Sequence, residues 1–374
     1  MSKVKLSIGE LRKIKGVTQV ELAEYLGVSF QAVSKWENGT SMPDIEMLPM
    51  LSKYFEVSVD EILGLKSLKD KAYICRGTDQ KDFWDKKLDY LKDSRNLLWN
   101  DDYFEFLIKK VWKIDKPINI IDFGCGYGYL GMKLLPLLPQ GSSYTGVDIS
   151  DSLIKEGNQY FNNSSYKFRF INKDLNSFDI KDKYDMAICQ TLLRHLPNPK
   201  EILEKMIDST VEGGIVVCVE VNRMFENSGM YIKGIEYNST DTNNILHKLW
   251  ETELHEEGRD FSIGIKMPFY MDELGLKNID VRLCDKVNFI SPNSDMYEKN
   301  INALISANNW DRSISINESN KCIDFLMSRG LSKSEAEEYI KEKLDIQAYV
   351  MKNKEDISIL NTLCLIISYG VKEN

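Results

Sequence analysis

Residues 118–148 read INIIDFGCGYGYLGMKLLPLLPQGSSYTGVD. An apolar, β-branched run carries an acid at Asp122. Glycines follow at 124, 126 and 128, then a short amphipathic helix and a second apolar run closing on Asp148. The spacing predicts a β-turn-α-β unit with an acid at the tip of each strand. Glycines let such a turn adopt positive φ and leave no Cβ between backbone and ligand; the helix start behind them offers unpaired N–H groups. An acid about 20 residues beyond the last glycine stands where a ribose diol is gripped. A nucleoside-containing ligand is therefore expected. Gly126-Tyr-Gly128-Tyr-Leu-Gly131 formally satisfies GxGxxG, a weak signal by itself. Asp122, just ahead of the glycines, repels a pyrophosphate and can accept from an ammonium, which argues against a dinucleotide.

Together with four further stretches, these residues resemble the class I S-adenosylmethionine (SAM) methyltransferases. Asp122-Phe-Gly124-Cys-Gly126-Tyr-Gly128 is similar to their first motif, and Gly146-Val-Asp148-Ile149 to their ribose-binding acid. Asn172-Lys-Asp174-Leu175 resembles the third acidic strand end, beside the adenine. Residues 184–190, ending on Gln190, with Leu193-Arg-His195 after them, resemble the fourth strand and its loop. Gly213-Gly-Ile-Val-Val-Cys-Val-Glu220 resembles the fifth. By this resemblance Asp122 and glycines 124, 126 and 128 hold the methionine part, Asp148 and Ile149 the ribose, and Asp174 and Leu175 the adenine, with Gln190 and Leu193 walling the methyl group. His195 is the leading candidate base, its ordinary pKa lying near 6.5, with a packing role as the alternative. Glu220 is the second candidate. The stripe Tyr103, Leu107 and Val111 predicts a helix over the SAM pocket, where Tyr103 either reaches the SAM carboxylate or packs in the core.

A chain of 374 residues suggests two domains. Hydrophobic residues at 43% and charged residues at 28% allow large cores. Met1-Ser-Lys-Val-Lys runs straight into an amphipathic helix without a signal sequence, and the apolar stretch 357–367 is too short to span a bilayer. A cytoplasmic protein with no membrane partner is expected. Seven scattered cysteines without a CxxC pair read as reduced thiols, and three separated histidines (His195, His247 and His255) as no metal site. A net charge of −9 weighs against extended nucleic-acid coating but leaves room for a small DNA-binding face.

Residues 7–65 predict a compact bundle of short helices. Thr18-x-x-Glu21 is a capping box opening a helix over 19–26, and Gly27-Val-Ser29 a turn whose serine caps a second helix to about Glu37. Ser58-x-x-Glu61 is a further capping box. The segment resembles the Cro/repressor-type (XRE family) helix-turn-helix domains through Thr18-Gln-Val-Glu-Leu-Ala23, Gly27-Val-Ser29, Val33-Ser-Lys-Trp-Glu-Asn-Gly39 and Phe55-Glu-Val-Ser-Val-Asp-Glu-Ile-Leu63. That resemblance implies a major-groove face of Phe30, Gln31 and Lys35 with Gln19 nearby, and Asn38 at the phosphates of double-stranded DNA. Reading two half-sites calls for a homodimer. Residues 1–66 carry eight basic and nine acidic residues, so non-specific attraction is weak.

The expected architecture is a helix-turn-helix bundle (1–66), a linker with N-terminal helices (67–116), a doubly wound seven-stranded α/β domain (117–290) and a helical C-terminal extension (291–374). Strands six and seven are placed at 277–283 and 286–290. Ser332-x-x-Glu335 caps one tail helix, and Ile359, Leu360, Leu363 and Ile367 predict another over 356–367. Between strand five and this hairpin, 222–271 is rich in large polar groups, Arg223, Tyr237 and Arg259 among them, and is expected to line the acceptor pocket. Three functions stay open: a small-molecule methyltransferase fused to a DNA-binding domain, a transcription regulator sensing SAM or a metabolite, and nucleic-acid methylation. The third ranks last, since no Asn-Pro-Pro-Tyr or Asp-Pro-Pro-Tyr follows the fourth strand.

Overall fold

A computed structural model describes residues 6–15, 17–55, 57, 59–64, 88–95, 97–162, 164–196, 198–223, 225, 228–236, 243–257, 260–312 and 316–373. The Ser58 cap, Cys75, Tyr237 and Arg259 lie outside them. The chain divides into two compact units, residues 1–71 and 72–374.

The smaller unit holds α1 (Ile8–Lys15), α2 (Gln19–Leu26), α3 (Phe30–Glu37), α4 (Leu48–Phe55) and α5 (Val59–Ile62). The Thr18–Glu21 capping box forms on both arms, and Gly27 ends α2 in the left-handed region at φ 68°. Ser29 Oγ then accepts from Ala32 N (3.3 Å), starting α3. The chain thus makes a tight helix-to-helix turn over the three residues Gly27, Val28 and Ser29. Leu22, Leu26, Val33, Trp36 and Leu51 close one core between these helices.

In the larger unit the order is α6 (Leu88–Arg95), α7 (Asp101–Phe106) with a π-turn (Leu107–Val111), β1 (Asn119–Phe123), α8 (Tyr129–Leu134), β2 (Ser143–Asp148), α9 (Asp151–Phe161), β3 (Lys167–Asn172), β4 (Tyr184–Gln190), α10 (Pro199–Ser209) and β5 (Thr210–Glu220). There follow β6 (Met230–Ile232), α11 (Asn243–Glu257), α12 (Met267–Glu273), β7 (Lys277–Leu283), β8 (Asn288–Ile290), α13 (Tyr297–Ala307), α14 (Ile316–Ser328), α15 (Lys333–Lys352), β9 (Ile359–Asn361) and β10 (Ile366–Val371).

Seven strands form one sheet in the order β3-β2-β1-β4-β5-β10-β7. β1 to β5 pair in parallel, whereas β10 is antiparallel to both its neighbours. The inner strands are buried on both faces, as parallel strands flanked by helices must be. One face packs on α8, α9 and the α7 region through Tyr144, Leu130 and Phe104; the other packs on α10 and α12 through Met206, Leu203 and Met267.

Two expectations for the later elements are overturned. Residues 356–367 form no helix: Ile359–Asn361 and Ile366–Val371 are strands. The apolar spacing that fits a helix here serves strand pairing, with Ile367 wholly buried between β5 and β7. Likewise 286–290 is not the seventh strand of the main sheet. Its Asn288–Ile290 part pairs with β9 in a separate three-stranded sheet, order β6-β9-β8, and β10 completes the large sheet. β10, near the C-terminal end, is therefore built into the main sheet. The Ser332–Glu335 capping box forms and starts α15 as expected.

Candidate active site

Both turn and strand ends build the site. Gly124, Gly126 and Gly128 all have positive φ (66°, 55° and 83°). A Cβ at Gly124 would meet Leu192 Cδ1 at 2.5 Å, so this backbone is approached more closely than a side chain permits. Gly124 N and Cys125 N donate to Val147 O (2.8 and 3.0 Å), tying the turn to the end of β2. There Asp148 accepts from Gly126 N through Oδ2 (2.8 Å) and from Ser150 N through Oδ1 (2.9 Å). One carboxylate thus clamps the glycine turn to the start of α9.

These groups line one cleft of the larger unit. Its walls are Leu91 and Arg95 of α6, Gly124, Gly126, Asp148, Ile149, Leu153, Lys173, Asp174, Leu175, residues 190–192, His195 and Leu196. Of the sequence-derived residues, Gly124, Gly126, Asp148, Ile149, Asp174, Leu175, Gln190 and His195 are brought together here.

Asp122, Gly128, Leu193, Tyr103 and Glu220 are not on its walls. Asp122 lies under the floor, 1% exposed, and accepts from Tyr144 Oη (2.6 Å). Burial pushes its carboxyl up to about 7; the Tyr144 bond opposes this and the charge of Asp148 adds to it. Gly128 starts α8 and faces Phe170, where a Cβ would meet the ring at 2.7 Å. Tyr103 donates to Leu283 O (2.9 Å), so its hydroxyl is directed to the end of β7. Leu193 is fully buried behind the wall, and Leu192 takes the lining position.

Glu220 is wholly buried at the tip of β5, where Oε1 accepts from Leu192 N (2.9 Å) and Leu193 N (2.7 Å). It positions the loop after β4 instead of facing the cleft as a base. Burial pushes its carboxyl up to about 7, against the two amide bonds and the charges of Arg194 and Arg95. Thr191, in the same loop, has φ 50°, a strained value for a β-branched residue. Its N–H donates to Val219 O (2.8 Å) and its hydroxyl meets Arg95 Nη2 (3.2 Å), which hold it there. His195 Nε2 accepts from Arg194 Nε (3.1 Å).

Arg95 and Leu91 had no sequence signal of their own, coming from a polar stretch ahead of the first strand. Arg95 reaches Thr191, its carbonyl accepts from Tyr129 Oη (3.2 Å), and its charge acts on both Asp122 and Glu220. Trp99 Nε1 donates to Gln190 Oε1 (3.1 Å), while Gln190 Nε2, Asp122 Oδ1 and Glu220 Oε2 are buried without a hydrogen-bond partner among the described residues. Of these three residues only Gln190 is on the cleft wall, so its Nε2 is a donor available to a ligand there, and the glycine turn leaves the space that a Cβ would fill.

In the smaller unit Phe30 (49% exposed), Gln31, Lys35 and Asn38 lie on the solvent side of α3, opposite buried Val33 and Trp36. Gln19 is partly sequestered: its Nε2 donates to Glu37 Oε2 (2.8 Å). Glu37 also receives Arg12 Nε and Nη2 (2.6 and 3.1 Å), and these bonds with the Arg12 charge hold its carboxyl below the usual range despite burial.

Comparison with known families agrees with both units. Residues 8–62 match the helix-turn-helix family and residues 114–259 the methyltransferase domain family. The chain therefore joins a helix-turn-helix domain to a methyltransferase domain. Over 59 residues it is 48% identical to the HTH-type transcriptional activator BcrR of Enterococcus faecalis, covering 16% of this chain and 29% of that protein. Over 124 residues it is 29% identical to the ubiquinone biosynthesis O-methyltransferase of Coxiella burnetii, covering 33% of this chain and 51% of that one. Among solved structures it is similar to Haemonchus contortus phosphoethanolamine N-methyltransferase 2 in complex with S-adenosyl-L-methionine. There the TM-score is 0.45 and the identity 10%, over 80% of this chain and 61% of that one. The chain spans about half the length of the methyltransferase relatives and under a third of the activator. Among the described residues, no helix is long and apolar enough to cross a membrane.

Proposed function

We propose that the larger unit is a SAM-dependent methyltransferase acting on a small molecule, carried on a chain whose smaller unit binds double-stranded DNA as a pair. The observation that carries the catalytic half is the Asp148 carboxylate, clamped at 2.8 Å to a glycine turn of positive φ and lining the cleft. Asp148 takes the ribose hydroxyls, while Ile149, Asp174 and Leu175 border the base. The glycine turn admits the methionine half, with Arg95 and Gln190 supplying polar contacts to it. When bound, SAM supplies an electrophilic methyl on a sulfonium. The chain's part is to align that group with an acceptor and to exclude water from the cleft. Leu192, Leu196 and Leu91 furnish its apolar wall. A base role for His195 requires its Nε2 to leave Arg194 Nε or the other ring nitrogen to act. Relatives named for O-methylation in ubiquinone biosynthesis support an oxygen acceptor on a small molecule.

One observation favours the second reading, a regulator that senses SAM or a metabolite. Glu220 holds backbone amides and His195 is bonded to Arg194, so neither expected base stands ready in the cleft. Incubation with methyl-labelled SAM and a panel of phenolic acceptors separates the two. Label transfer with release of S-adenosylhomocysteine supports the enzyme. Tight SAM binding that alters affinity for duplex DNA, without transfer to any acceptor, favours the sensor.

A further inference from the structure

The three-stranded sheet carries an outer face of unusual chemistry. Tyr231, Leu360 and Phe289 stand side by side across its three strands, in direct register, and are 46%, 40% and 66% exposed. Their inward neighbours Ile232, Ile359 and Ile290 are each 1% exposed. A half-solvated antiparallel sheet ordinarily alternates apolar inside with polar outside. Here the whole outward rung is apolar, and Val287, 53% exposed, extends it toward β7. With aromatic side chains of ~150–250 Å² each, the rung exposes on the order of 300 Å², the size at which a monomer's largest apolar patch is often functional.

Two charges stand at opposite corners of this face. Lys233 N donates to Ser358 O (3.0 Å), so the ladder continues one residue past β6 and strand alternation keeps Lys233 on the face of Tyr231. Residues 284–287 precede β8, and burial alternates through them into the strand (Cys284 and Asn288 buried, Asp285, Val287 and Phe289 exposed), which puts Asp285 on the face of Val287 and Phe289. β6 and β8 are both antiparallel to β9 and hence parallel to each other. Lys233 therefore lies beyond the rung on the β6 side, and Asp285 before it on the β8 side. Both are exposed, and neither makes an ion pair with another described residue.

We propose that this face is the interface between two copies of the chain. A two-fold axis in the plane of the interface, at right angles to the line from Lys233 to Asp285 and passing midway between them, between the rung and Val287, sets the apolar patch of one copy against that of the other. It also places Lys233 of each copy over Asp285 of the other. The pattern is self-complementary, as an isologous contact must be, with an apolar centre and a charged rim. The rung is the core of a patch that a stable dimer extends to ~800 Å² per partner. The inference rests on the reading above in one respect: a helix-turn-helix unit that binds as a pair needs a second copy held to it.

Sedimentation equilibrium of the full chain, without DNA, tests it. The wild type is expected to be dimeric. Phe289→Glu, which replaces an interface-centre aromatic with a charge, weakens the dissociation constant by roughly thirtyfold or more, with the far-UV circular dichroism of the wild type. Lys233→Asp and Asp285→Lys each weaken it by about tenfold, and the double swap restores it. The swaps leave the apolar rung intact, so they report on the interface even if Phe289→Glu does not fold. A monomeric wild type, a dimer indifferent to Phe289→Glu, or single swaps that weaken it without rescue by the double swap would overturn the proposal. A dimer that responds in this way yet binds no duplex DNA supports the interface and rejects the DNA reading instead.

Discussion

Replacing Glu220 by Gln turns the burial of this carboxyl into a measurable quantity. Its carboxyl is pushed from an ordinary 4.5 up to about 7. Between those values the folded chain keeps a proton that the unfolded chain releases. The stabilising contribution is therefore complete below pH 4.5 and is lost as pH rises through 7. At 1.36 kcal/mol per pH unit the full loss is about 3 kcal/mol, most of it between pH 5 and 8. Gln retains an Oε1 that can accept from Leu192 and Leu193 N, and it cannot ionise. In urea denaturation followed by tryptophan fluorescence, the variant is expected to gain about 2–3 kcal/mol on the wild type between pH 5 and pH 8. Asp122, raised to about 7 by the same cause, leaves a residual slope of the same sign in the variant. Identical pH slopes for wild type and Glu220→Gln would refute the reasoning.

Three further outcomes are expected. Gly126→Ala meets nothing closer than 3.9 Å, so stability falls by only ~1–2 kcal/mol from the left-handed backbone, while SAM affinity measured by titration falls by tenfold or more; unchanged affinity would mean that the ligand does not lie on the turn. Glu37→Ala strips Arg12 and Gln19 of their common partner. Because the Arg12–Glu37 side chains are only 14% and 10% exposed, it should cost about 2 kcal/mol, between the values for exposed and fully buried pairs; a helical circular dichroism transition that does not move counts against the pair. Ile367→Ala, at a wholly buried position in β10, is expected to cost 2–5 kcal/mol in denaturant, whereas a loss below ~0.5 kcal/mol, typical of surface sites, would contradict that strand.

Local signals were legible where a few neighbouring residues determine the outcome. The Thr18–Glu21 and Ser332–Glu335 capping boxes, the Gly27 turn and the glycine loop all read directly from sequence, because the atoms that make each bond lie within a few residues. Strand ends at Asp148 and Gln190 followed from apolar runs buried on both faces. Distant pairing was not legible. β10 enters the sheet between β5 and β7 after about 80 residues of β8, β9 and helices, and its Ile367 falls equally well on a helical stripe with Ile359, Leu360 and Leu363. Site chemistry divided the same way. Acids at strand tips were found, but their directions depend on partners elsewhere in the fold: Tyr144 takes Asp122, the 192–193 amides take Glu220, and Leu283 O takes Tyr103. Arg95 was missed because its reach to Thr191 spans 96 residues.

The central claim, that the cleft under α6 holds SAM through the Asp148 clamp, is tested most directly by calorimetric titration of SAM into the full chain and its Asp148→Ala variant. Saturable one-to-one binding by the wild type, lost or weakened by more than about tenfold in the variant, is the expected result, since a charge-assisted hydrogen bond contributes on the order of 1.5–3 kcal/mol. Heat of dilution alone from the wild type, or equal affinity in the two proteins, would contradict it.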